Sequence, residues 1–125
     1  MAKMLLLDVQ KQEVREVEAN GLKDYYKLLN CDTIDITNRE VYNFKRQEKR
    51  TFDIICDDNG LLISDIIPSA VGKDGKVKLV GNLLICNVDE GIEQSLPEEE
   101  IDFLKDSIEK VIFDRFILKV LVLWM

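Results

Sequence analysis

Apolar residues open the chain as a short unbroken run and then alternate with charge. MLLLDV at 4–9 reads as a buried strand, and EVREVE at 13–18, where charge alternates less cleanly with Val14 and Val17, as a paired strand or a loop. The period then lengthens: Leu22, Tyr25, Tyr26 and Leu29 recur at helical spacing. Asn20 or Gly21 can cap that helix and Asn30 can end it. TIDIT at 33–37 returns to alternation and puts Ile34 and Ile36 on one face of a half-buried strand. FDIIC at 52–56 is a further strand. The DDNG after it is a turn, because Asn59 and Gly60 tolerate positive φ, and Leu61 to Ile63 should return antiparallel.

Pro68 and GKDG at 72–75 mark a loop. Val77 to Val80 and Asn82 to Val88 follow as strands, interrupted at Gly81 by a bulge or a close contact. LLIC at 83–86 is apolar at every position, which predicts a central strand covered by helices. The clearest helix begins near Pro97, where Ile101, Leu104, Ile108, Val111 and Ile112 form one stripe. Leu96 and Ile101 can staple its start, with Ser95 and Glu98 as a competing capping box. FILKVLVLWM closes the sequence and is shorter than the roughly 20 residues a membrane span needs. It predicts a final buried strand, or alternatively a homodimer contact. Together these elements predict one α+β domain over residues 1–125: a mainly antiparallel sheet of five to six strands, with two helices on one face.

Composition narrows the chemistry. A chain of 125 residues supports one core, and its net charge of −7 disfavours general nucleic-acid binding while leaving a basic protein partner open. No histidine occurs, which removes the usual general base and the commonest metal ligand, so no enzyme is expected. Cys31, Cys56 and Cys86 are an odd number without a CxxC pair, as suits reduced thiols. The first apolar run is too short for a signal peptide, and a cytoplasmic protein is the expectation.

Three groups of residues could carry function. Glu98, Asp102, Asp106 and Glu109 would share one face of the last helix, in a stretch rich in carboxylates. Such a row, rising about 6 Å per four residues, could imitate a phosphate backbone, although an acidic first turn also simply suits the helix dipole. Cys31, Cys56 and Cys86 each end an apolar run, and three converging thiolates with a neighbouring aspartate could hold zinc. The alternative is three buried cysteines packed as small hydrophobes. Residues 39–50, REVYNFKRQEKR, interleave Tyr42 and Phe44 with five basic residues against two acidic ones, and read as an exposed hairpin loop. Aromatics among cations can also stack on single-stranded bases.

FDIICDDNGLL, VGNLLIC and SLPEEEI, preceded by LLLDVQ and EANGLKDYYKLLNC, resemble a family of small acidic proteins of phages, prophages and plasmids of Gram-positive bacteria. That family is catalogued as a domain of unknown function, and the resemblance covers roughly residues 4–112. Pro97 stands where a threonine is usual, and the tail after Ile112 is unusually hydrophobic. The resemblance implies a mobile-element accessory protein inside a bacterial cell. With the charge, it leads to the expectation of a non-catalytic inhibitor of a host defence factor, such as an RNA-guided nuclease, docking through the acidic helix face. The alternative is a zinc-stabilised structural or regulatory module.

Overall fold

Strand β1 (Ala2–Asp8) pairs antiparallel with β2 (Glu13–Ala19) in unbroken register, from Ala2 opposite Ala19 to Asp8 opposite Glu13. Asp8 holds the turn between them by accepting the N–H groups of Gln10 and Lys11, both at 3.1 Å, and Arg15 at 3.0 Å. Burial pushes its carboxyl up, but the backbone N–H of Lys11 and the Arg15 guanidinium outweigh that and hold it below its ordinary value. The computed structural model describes residues 2–58, 67–113 and 118–125, so the DDNG turn beyond Asp58 and the Leu61–Ile63 return lie outside the described residues.

Helix α1 (Leu22–Leu29) follows a Gly21 with φ of 83° and ends at a left-handed Asn30, as the spacing predicts. β3 (Ile34–Asn43) and β4 (Glu48–Asp57) form a ten-pair hairpin. After them come β5 (Pro68–Val71), β6 (Val77–Val80), β7 (Leu83–Asp89) and β8 (Ile92–Gln94). Helix α2 (Glu98–Ser107), β9 (Glu109–Phe113) and β10 (Leu118–Trp124) complete the chain. The strand order is β2-β1-β7-β4-β3-β10-β5-β6, with β8 on the end of β7 and β9 on β10; among the described residues only β10 and β5 run parallel. Among the described residues no helix is long and apolar enough to cross a membrane.

The fold is α+β and mainly antiparallel, but the sheet has ten strands among the described residues rather than five or six. Two of the strands the pattern missed are short: β8 has three residues, and β5, which begins at the Pro68 read as a loop signal, has four. They are too brief to show a period. The end of the predicted last helix is also corrected. α2 stops at Ser107, Ile108 is already extended, and Val111 and Ile112 lie in β9. Those β-branched residues pair with the apolar strand β10, and that pairing overrides a helical spacing that is real in the sequence.

The helices lie on opposite faces of the sheet, not on one. In β7, Leu83 and Ile85 join Phe52, Ile54, Ile101, Phe103 and Leu104 in a core under α2. Leu84 and Cys86 join Met4, Leu6, Ile55, Tyr25 and Leu29 in a second core under α1. Period-two alternation assigns the two sets. Full burial of Leu83–Cys86 confirms the central strand. Among the described residues β10 enters the main sheet through Leu123 and Trp124, and its earlier residues pair with β9. This ribbon reaches the β1–β2 turn, where Gln12 Oε1 accepts the Leu121 N–H at 2.7 Å. β1 and β10 are four strands apart, about 19 Å on a flat sheet, so the ribbon arches across the α2 side.

Candidate functional site

α2 starts at Pro97, which occupies the N-cap position without a side-chain bond. Leu96 and Ile101 are both buried in the core beneath it, as a staple requires. Ser95 is not used as a cap; its hydroxyl accepts the Lys3 N–H at 2.9 Å. Glu98 and Asp102 are exposed on the helix. Asp106 is not a free member of the row. It accepts Asn43 Nδ2 at 3.0 Å, Lys45 Nζ at 3.1 Å and Arg46 Nε at 2.8 Å, which together hold its carboxyl down at about 2. Glu109 leaves the face altogether: it lies in β9 and accepts the Trp124 indole N–H at 2.9 Å. The four-carboxylate row is therefore divided, with its C-terminal half engaged within the protein.

The cysteines do not converge. Cys56 lies in the core under α2, Cys86 in the core under α1, and Cys31 packs partly buried against the latter. The sheet itself stands between Cys56 and the other two, so a site shared by all three would have to cross it. Among the described residues no group of three or more His, Cys, Asp or Glu is placed to hold a metal ion. Burial, then Asp53, pushes the Cys86 thiol up to about 12; burial, then Asp35, pushes Cys56 up to about 11. These thiols stay protonated and behave as core groups.

The basic segment is strand and tight turn rather than loop, and it is also divided. Asn43 Oδ1 accepts the Arg46 N–H at 3.0 Å across the β3–β4 turn, and Gln47 takes a φ of 53°. Arg46 and Arg50 lie over the Phe103 ring on the α2 side, at 5.9 and 4.8 Å from its centroid. Their charge supports packing there.

The two aromatic residues of this segment lie elsewhere. Tyr42 is the register partner of Trp124, the chain's one tryptophan, on the neighbouring strand β10. Phe44 is nearly parallel to Tyr42, at 7° and 6.2 Å between centroids, and meets Trp124 edge-on at 65° and 5.6 Å. Lys73, carried on the β5–β6 loop, sets its ammonium 4.0 Å from the Tyr42 centroid. Lys49 borders the same place and shares its charge with Glu40 at 3.2 Å. An open concavity of about 440 Å³ is lined by Tyr42, Phe44, Glu48, Lys49 and Lys73. Phe44 is 47% exposed although it contacts both other rings. Tyr42 and Phe44 were visible in the sequence as aromatics among cations. Trp124 and Lys73 were not, because only the pairing of β10 with β3 and β5 brings them there.

The chain belongs to the family described as Domain of unknown function (DUF3846), which matches residues 2–109. No curated protein and no solved structure matches it.

Proposed function

We propose that this is a non-catalytic binding protein that docks on a basic bacterial protein, as an inhibitor or modulator of a host defence factor would. Its anchor is the aromatic surface of Tyr42, Phe44 and Trp124. The observation that supports this reading most is the exposed Phe44, held between two other rings beside an open concavity. Tyrosine and tryptophan dominate the energetics of protein interfaces because they bury large areas at little entropic cost. The net charge of −7 supplies the long-range part: it steers a basic partner towards the surface and repels acidic ones. Glu98 and Asp102 contribute to that field, while the anchoring role proposed from the sequence for the whole acidic row passes to the aromatic face.

The test compares two variants as bait in a bacterial lysate. Phe44→Ala with Tyr42→Ala should lose a partner that the native chain retains, whereas Glu98→Lys with Asp102→Lys should keep it more weakly. Loss in the acidic variant alone would return the contact to α2 and overturn the aromatic anchor.

A further inference from the structure

We infer that the Tyr42–Phe44 surface is a seat for a cationic side chain of the partner, an arginine or lysine, and that Lys73 occupies it in the free protein. The inference rests on the binding reading above and names what that surface recognises.

The ring of Tyr42 already holds an ammonium. Lys73 Nζ lies 4.0 Å from its centroid, well within the range in which a ring's negative face attracts a cation. Phe44, nearly parallel to Tyr42, lines the same concavity, and Trp124 meets Phe44 edge-on. Lys73 is an exposed residue in a tight loop, closed by the Gly72 N–H to the Lys76 carbonyl at 2.8 Å. Its flexible four-carbon stem lets the ammonium leave without moving the loop. The concavity beside it is large enough to admit another long side chain.

The surrounding charge permits the exchange. Lys49 is neutralised by Glu40 at 3.2 Å, and Glu48 by Arg50 at 3.0 Å. When Lys73 swings away, the seat loses the cation that lies over Tyr42, and the overall charge of −7 favours a replacement. Guanidinium is the better replacement, since it is planar, weakly hydrated and stacks on aromatic faces.

Trp124 reports on the seat by fluorescence. A hexa-arginine peptide, a hexa-lysine peptide and an oligothymidylate are titrated into the native chain, Lys73→Ala and Tyr42→Leu. The expected result is a saturable change with hexa-arginine, weaker with hexa-lysine, tightened several-fold by Lys73→Ala. In Tyr42→Leu the affinity should fall several-fold, and adding Lys73→Ala should then give no gain. Equal affinity in the native chain and Tyr42→Leu would mean charge alone binds the peptide, and would overturn the seat. A response to oligothymidylate only would overturn the cationic ligand in favour of a nucleic acid. If the seat fails these titrations while Phe44→Ala with Tyr42→Ala still loses the lysate partner, the docking surface stands and only the ligand chemistry is wrong.

Discussion

Arg46 donates from Nε to Asp106 at 2.8 Å and ties the tip of the β3–β4 hairpin to the last turn of α2, across 60 residues of chain. The acidic helix and the basic segment, which in the sequence look like two separate surfaces, neutralise each other there. Reversing either charge therefore disturbs the fold as well as the surface.

A charge swap separates the two effects. Arg46→Glu alone and Asp106→Arg alone should each lower the thermal midpoint, and the double variant should recover part of the loss. Thermal melts at low and moderate salt measure this, with the recovery shrinking as salt rises. Strictly additive losses would show that the two residues do not interact in solution.

Asp106 should also set the acid behaviour of this junction. Its folded-state carboxyl is held at about 2, below the ordinary 3.8, by Asn43 first and then by Lys45 and Arg46. A depressed carboxyl stabilises the fold above its unfolded value, and that contribution is lost as pH falls towards the folded one. NMR titration of the Asp106 side chain should show a midpoint near 2, moving upward in Asn43→Ala. A midpoint at the ordinary value in the native chain would contradict the contact.

Cys31 should react with a thiol reagent well before the other two cysteines in the native protein. It is half-buried, whereas Cys56 and Cys86 are buried and held at about 11 and about 12. Counting modified thiols over time by mass spectrometry should give one fast site and two that follow unfolding. A chelator should leave all three rates unchanged, and slowing of all three by added zinc would revive a shared site.

In the core, Ile101→Ala should cost about 2–5 kcal/mol, because Ile101 is fully buried under α2. Ile108→Ala should cost less, about 1 kcal/mol, since Ile108 is only partly buried at the point where the helix ends. Denaturant unfolding measures both. Equal costs would mean that Ile108 packs as it would in a longer helix.

Ile108 also shows where the sequence stopped being legible. Local pattern identified β1, α1, β3, β4 and β7, and the cap at Asn30, since each depends on residues close in the chain. Ile108, Val111 and Ile112 fit a helical stripe, yet their β-branched side chains suit a strand equally well. Only the presence of β10 as a partner decides between the two. The unbroken apolar run of β7 announced cover on both faces, but not that each helix takes one. The site was half-legible for the same reason. Tyr42 and Phe44 are neighbours in sequence, whereas Lys73, on the β5–β6 loop, and Trp124, on β10, arrive from distant parts of the chain through the β10–β5 and β10–β3 pairings.

The most direct test of the aromatic anchor is site-specific photo-cross-linking. Benzoylphenylalanine replaces Phe44 in one chain and Asp102 in another, and both are irradiated in bacterial lysate with the native chain as competitor. Position 44 should give a discrete adduct with a basic protein that the competitor abolishes, and position 102 a weaker one or none. A competed adduct at position 102 with none at position 44 would contradict the anchor and place the contact on the acidic face of α2.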